Sequence, residues 1–185
     1  MIRNLIFALL LSVQGTLAWS FADEDRDWGI TPTRDIRQPP YSAPTPRQIP
    51  GAELITTAEL QAKLTAEPSS ILIDVASGDG HATLRGAYWL SGPGRGSHFF
   101  DPLQAQFADH LKQLSQGDKN RSLVFFCVNA QCWLSYNASL RAAALGYLRV
   151  YWYRGGIDAW KEAGLPMVKV SLPATASPVT EGHSP

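Results

Sequence analysis

The chain has 185 residues, 45% of them hydrophobic and 17% charged, enough for one ordinary globular core and too few for two sizeable ones. Lysine plus arginine and aspartate plus glutamate number 16 each, so no net field draws the protein to nucleic acid or to an anionic membrane. One domain with tails is the expectation, and polyanion binding has no support.

Residues 1–22 carry one cation at Arg3, a largely apolar run over 5–13, and then small residues. This is the layout of a secretory signal peptide, with cleavage after Ala18 or Ala22. The run is well short of the roughly 20 residues a membrane span needs. The mature protein is therefore expected to be exported, free of the membrane once the signal is removed, and in a compartment where disulfides form. Residues 23–50 hold six prolines and little periodic hydrophobicity, which forbids a long helix or a central strand. They read as a proline-rich arm, loose or wrapped over the domain, with Trp28 and Tyr41 docking it.

Residues 51–170 alternate helix and strand. Thr56 and Glu59 form a capping box for a helix with Leu60 and Leu64 on one face. "SILIDVA" is short and apolar, a strand buried on both faces, and "GAYWL" at 86–90 is a second. "DPLQAQFADHLKQLSQG" spaces Leu103, Phe107, Leu111 and Leu114 as a helix that stops at Gly117. "SLVFFCV" is a third strand. "WLSYNASLRAAALG" presents Leu134, Ala138, Ala142 and Leu145 on one helical face. "RVYWY" is a last strand and "GGIDAWKEAG" a last helix. Strands separated by helices predict an α/β fold, a mostly parallel sheet covered on both sides. Residues 171–185 are small, polar and proline-containing, and are expected to be disordered.

In such sheets ligands bind beyond the carboxyl ends of the strands. Both cysteines of the chain, Cys127 and Cys132, stand there, between "LVFF" and a helix start. Unpaired amides and the positive end of the helix dipole would stabilise a thiolate at Cys127. The bland alternative is a small buried core residue.

A cysteine at a strand end, the six-residue loop CVNAQC and the run Gly155, Gly156, Ile157, Asp158, Ala159, Trp160 followed by "AGLP" resemble the carboxyl half of a rhodanese domain. "LIDVASGDGHATLRGAYWL" is similar to that family's first signature. The resemblance implies a three-layer sandwich on a central five-stranded, mostly parallel sheet. It also implies a persulfide on Cys127 cradled by the loop Val128, Asn129, Ala130, Gln131, with Asp74 in a positioning role. "PTPRQIPGA", "GDKNRSLVFFC" and "CWLSYNASLRA" narrow the likeness to an exported rhodanese-like family associated with catabolism by PQQ-dependent alcohol dehydrogenases and carrying a Cys and Cys-Trp motif. That narrower likeness implies the periplasm and a quinoprotein alcohol dehydrogenase or a cytochrome c as partner. PQQ enters by association, not as a cofactor of this chain.

The sequence departs from rhodaneses where they have glycine fourth and arginine sixth in the loop: here stand Ala130 and Cys132. The narrower family also places fewer residues between its cysteines than the four found here. Without the loop arginine, thiosulfate to cyanide transfer should be weak. Arg95 or Arg85 could supply the missing charge, and Trp133 would crowd the mouth. A curled loop can bring Cys127 and Cys132 within disulfide range, so they can act as attacking and resolving thiols on a small sulfur or thiol substrate. The alternative is a structural disulfide in a non-catalytic accessory protein.

Other candidates are weaker. His81 and His98 fall in loops expected to border the site, and His110 lies on a solvated helix face. The cysteines with one histidine match no metal motif, so no metal is expected. "GPGRG" at 92–96 lacks a P-loop lysine pattern and reads as a flexible turn. Trp133, Tyr136, Tyr151, Trp152, Tyr153 and Trp160 are either core or a docking patch.

Overall fold

The computed structural model describes Phe21 and residues 23–171. The signal peptide expected over 1–22 and the tail expected over 171–185 lie, apart from Phe21 and Ser171, outside the described residues. Seven strands and four helices follow in the order β1 (Glu53–Ile55), α1 (Thr57–Ala66), β2 (Ile71–Asp74), β3 (Gly80–Leu84), β4 (Tyr88–Trp89), α2 (Pro102–Ser115), β5 (Leu123–Phe126), α3 (Trp133–Ala144), β6 (Val150–Tyr153), α4 (Gly156–Glu162) and β7 (Met167–Ser171). No helix among these residues is long and apolar enough to cross a membrane.

The central sheet has five strands in the order β1-β6-β5-β2-β4, each pairing parallel. β2 and β5 are buried at every position, as strands covered on both faces must be. Side chains alternate between faces along a strand, and adjacent residues show which helix covers which side. Phe125 meets Phe107 of α2, and its register partner Trp152 meets Tyr136 of α3. The next pair, Phe126 and Tyr153, points the other way, with Tyr153 against Trp160 of α4. Helices α2 and α3 therefore cover one face and α4 the other, the three layers expected.

The capping box of α1 is present, Thr56 accepting from the Glu59 N–H while the Glu59 carboxylate accepts from the Thr56 N–H. α2 ends at Gln116 and Gly117, both in the left-handed region with φ of 55° and 81°. Three strands escaped the pattern. β1 has only three residues, and β3 and β7 form a separate antiparallel pair whose half-exposed residues lack a clean alternation.

The arm is wrapped over the domain. Ile36 and Ile49 join Trp133, Tyr136, Leu140 and Trp152 in a second core between arm, α3 and β6, with Tyr41 packed against it. The Tyr136 hydroxyl accepts from the Thr33 N–H and donates to the Thr33 carbonyl (3.0 and 2.8 Å). Asn137 accepts from the Arg37 N–H and donates to the Arg37 carbonyl. Buried Arg154 donates to the Glu24 carbonyl and to the Thr45 carbonyl and hydroxyl, with Trp28 against its guanidinium at 4.7 Å. Burial, reinforced by the charge of Arg47, lowers its pKa to about 10, so it stays charged at neutral pH. The aromatic group resolves the same way: Trp133, Tyr136, Trp152, Tyr153 and Trp160 are buried core residues, and Tyr151 lies under the Lys63 ammonium at 3.9 Å.

Candidate active site

Strand β5 ends at Phe126 and delivers Cys127 to the carboxyl edge of the sheet. The start of α4 fixes the loop from below. Ile157 N–H donates to the Cys127 carbonyl at 3.0 Å and Asp158 N–H to the Val128 carbonyl at 2.9 Å. This approach explains the second glycine of the Gly155–Gly156 pair. Gly156 has φ of 62°, and a Cβ there would collide with the Cys127 carbonyl oxygen.

Asn129 organises the loop itself. Its carbonyl accepts from the Cys132 N–H at 3.1 Å, its Oδ1 accepts from the Gln131 N–H at 3.0 Å, and its Nδ2 donates to Asp158 Oδ2 at 2.8 Å. The chain curls until the Cα atoms of Cys127 and Cys132 stand 6.2 Å apart, and the two form a disulfide. Cys132 is the N-cap of α3.

The arm runs antiparallel along the outer side of this loop, bridged at Ser42 and Cys132. Trp133 N–H donates to the Tyr41 carbonyl and Ala43 N–H to the Gln131 carbonyl, both at 2.9 Å. The Thr45 hydroxyl donates to the Ala130 carbonyl at 2.6 Å, and the Trp133 indole N–H to the Pro44 carbonyl at 3.1 Å. The N–H groups of Gln131, Cys132 and Trp133 are thus bonded within the protein. Those of Val128, Asn129 and Ala130 have no partner among the described residues.

A cleft of about 680 Å³ opens onto the disulfide. Pro39, Pro40, Tyr41 and Ser42 of the arm make one wall; both cysteines, Val128, Asn129 and Gln131 make the floor; Ser77 and Arg95 close the other side. Of the residues expected at the site, the structure brings together Cys127, Cys132, Val128, Asn129, Gln131 and Arg95. Four others lie elsewhere. Ala130 is buried under Thr45. Trp133 does not crowd the mouth, because its ring turns into the second core with Arg37 stacked on it at 4.6 Å. Arg85 is exposed away from the cleft, its N–H on the Pro166 carbonyl. Asp74 is fully buried one strand from Cys127, accepting from the Ala76 N–H, the Thr83 hydroxyl and the His81 ring nitrogen Nε2. It ties down the segment that carries Ser77. His81 and His98 do not border the cleft: the first is held on β3 by Asp74, and the second accepts from the Phe100 N–H through Nδ1.

The glycine segment over 92–96 is not a flexible turn. Fully buried Arg141 donates to the Arg95 and His98 carbonyls and forks onto Asp101 at 3.0 and 2.7 Å. Asn137 holds the Gly94 carbonyl at 2.8 Å, and a Cβ on Gly94 would collide with the backbone of Leu134. Burial raises the Asp101 pKa, but the bonds from Arg141 and from the Ser97 and Gln104 N–H groups outweigh it and hold the carboxyl at about 2. The segment positions Arg95, whose exposed side chain has no ion-pair partner among the described residues and is the one charged group lining the cleft.

A wrapped arm docked by Tyr41 is among the readings of the sequence, but its place as a wall of the cleft is not, because a proline-rich stretch advertises no partner. The signal that could have found it was Trp133, Tyr136 and Leu140, large side chains on the face of α3 turned from the apolar stripe and needing cover.

The family model for the rhodanese-like domain matches residues 56–163. The chain belongs to the rhodanese-like domain family. Among solved structures, a rhodanese-like domain from Anabaena sp. is 19% identical and superposes with a TM-score of 0.47, covering 71% of this chain and 92% of its own. A polysulfide-sulfur transferase from Wolinella succinogenes is 17% identical, with a TM-score of 0.45 and 72% and 85% covered. A thiosulfate sulfurtransferase from Pseudomonas aeruginosa is 16% identical, with a TM-score of 0.45, 63% of this chain and 20% of that one covered. No curated protein matches the chain. Membership of the rhodanese-like family fits sulfur or thiol chemistry at this loop, and a sulfurtransferase or thiol-disulfide redox protein is consistent with it. This rhodanese-like domain has its sixth loop position occupied by a disulfide-bonded cysteine, so the cation of its cleft comes from outside the loop, at Arg95.

Proposed function

We propose that this protein is a periplasmic rhodanese-like protein that carries out thiol-disulfide or persulfide exchange through Cys127 and Cys132, in support of PQQ-dependent alcohol catabolism. The observation that carries the chemistry is the Cys127–Cys132 disulfide on the floor of an open cleft at the carboxyl edge of the sheet. Disulfides that serve only as staples are seldom sited where α/β sheets bind ligands. The layout of residues 1–22 supports export, and the likeness of the segments around both cysteines to the exported family supports the periplasm and a quinoprotein dehydrogenase or cytochrome c as the protein served.

In the oxidised state Cys127 has no thiolate to offer, so the domain first meets its substrate as an acceptor of electrons from a thiol. Once reduced, Cys127 can take a sulfane sulfur, its anion favoured by the loop N–H groups that have no partner among the described residues. Thiosulfate to cyanide transfer should be weak, because the loop lacks the arginine that clamps the donor's oxyanion.

A second reading is a non-catalytic accessory protein with a structural bridge. It is favoured by the arm, which already occupies part of the amide cradle through Tyr41. The reduction potential separates the two. A value well above the roughly −300 mV of structural bridges, or a mass increment of one sulfur on Cys127 after reduction and exposure to polysulfide, supports exchange. A bridge below that potential and a reduced protein that never gains sulfur would leave the scaffold reading.

A further inference from the structure

We infer that exchange at this disulfide starts at Cys132 rather than Cys127, and that Arg95 selects a small thiol bearing its own negative charge. The inference rests on the proposed exchange activity and adds to it which sulfur is attacked and which substrate class approaches.

The two cysteines are presented unequally. Cys127 is 2% exposed, pinned between the ends of β5 and α4. Cys132 is only partly buried and heads α3, a helix of 12 residues. Attack on a disulfide depends on which sulfur can be reached, the nucleophile arriving opposite the bond that breaks. Access favours Cys132. The positive end of α3 also favours a thiolate arriving there and the anionic charge of the exchanging group. The leaving sulfur is then Cys127, next in the chain to the N–H groups of Val128, Asn129 and Ala130, which have no partner among the described residues and lower the pKa of a departing thiolate.

The step balances without an outside oxidant. A substrate thiolate forms a bond to Cys132 Sγ as the Sγ–Sγ bond breaks, and its electron pair leaves on Cys127. A second thiolate then attacks the substrate sulfur of the mixed disulfide, and Cys132 leaves as a thiolate. Two thiols become one disulfide and the protein becomes a dithiol.

The charge of the substrate follows from the walls. Arg95 is exposed and held toward the cleft by its backbone, and among the described residues it has no ion-pair partner and no carboxylate lines the cavity. A guanidinium fork suits a carboxylate or sulfonate. The volume of about 680 Å³ is ample for a compact thiol acid.

The test uses the full-length oxidised protein and three thiols of similar size: 2-mercaptoethanesulfonate, 2-mercaptoethanol and cysteamine, each rate divided by that thiol's rate with a free small disulfide. Reaction with the sulfonate is quenched early in acid, alkylated with a maleimide and mapped by peptide mass. The expected map has the sulfonate on Cys132 and the maleimide on Cys127; the reverse overturns the inference and leaves exchange itself standing. The sulfonate should react fastest of the three. Arg95→Gln should slow it about tenfold, the scale of one hydrogen bond to a charged group, and leave mercaptoethanol within about twofold. Equal slowing of all three thiols, with unchanged thermal unfolding, overturns the role of Arg95. A folded protein whose bridge resists every thiol overturns the proposed activity along with the inference.

Discussion

Gly156, the side chain of Asn129 and the Asp101–Arg141 pair determine the geometry around the cleft without entering the chemistry. Gly156 sits at φ of 62° with its Cα against the Cys127 carbonyl. Gly156→Ala should therefore cost about 1–3 kcal/mol for the backbone alone, more with the collision, as read by urea unfolding. A variant as stable as the parent would show that α4 does not clamp the cysteine. Asp101 is held at about 2 by Arg141 and two N–H groups, against its own burial. A depressed carboxyl contributes stability that is fully present above its unfolded pKa of about 4 and is lost as pH falls through its folded pKa. Melting temperature should therefore fall between about pH 4 and pH 2, and Asp101→Asn should flatten that part of the profile. The same substitution leaves a buried guanidinium uncompensated, at a cost of about 3–5 kcal/mol. A profile unchanged by Asp101→Asn would show that other carboxyls carry the acid limb.

At the level of elements, α3 shows how the arm and the site depend on one another. Every residue from Trp133 to Ala142 is buried, although Ser135, Asn137, Ser139 and Arg141 are polar. Such a helix is stable only if its polar side chains find partners: Ser135 bonds to the Cys132 carbonyl and the Trp152 indole, Ser139 to the Ser135 carbonyl, while the arm and the segment over 94–104 hold Asn137 and Arg141. Asn137 joins all three elements through Arg37 and Gly94. Asn137→Ala leaves the Arg37 N–H and two carbonyls unbonded, so a loss of about 1–3 kcal/mol is expected, together with earlier proteolysis at the arm prolines. Cleavage of the arm at the parent rate would mean that Ile36, Ile49 and Arg154 hold it unaided.

Across the whole molecule, the disulfide spans five positions and restrains little of the unfolded chain. The entropy of closing so short a loop is worth about 2 kcal/mol, a shift of roughly 4–8 °C in melting temperature for a chain of this length. Reduction should lower the melting point by that amount and leave the helix and sheet spectra intact, since Cys127 is one small member of a core that extends across β2, β5 and β6 and Cys132 only packs against it. Loss of the folded spectrum on reduction would make the bridge a structural requirement and would favour the scaffold reading.

The α/β alternation, the α1 capping box, the Gly117 stop and the buried runs of β2 and β5 were set by the sequence alone. They are local: spacing, caps and apolar runs act within a few residues and need no partner to be recognised. The position of Cys127 at a strand end before a helix was determined in the same way. Tertiary structure alone decided the rest. β3 and β7 are half-exposed and find each other across some 80 residues of chain. The face of α3 that holds Trp133 needed a cover that only long-range packing could choose, and the arm took it. Arg95 became the cation of the cleft, and Arg85 did not, because Arg141 and Asn137 fix the glycine segment from a helix more than 40 residues later. Hydrogen-bond partners this far apart leave no periodic trace in either stretch, so folding itself was required to bring the charge to the disulfide.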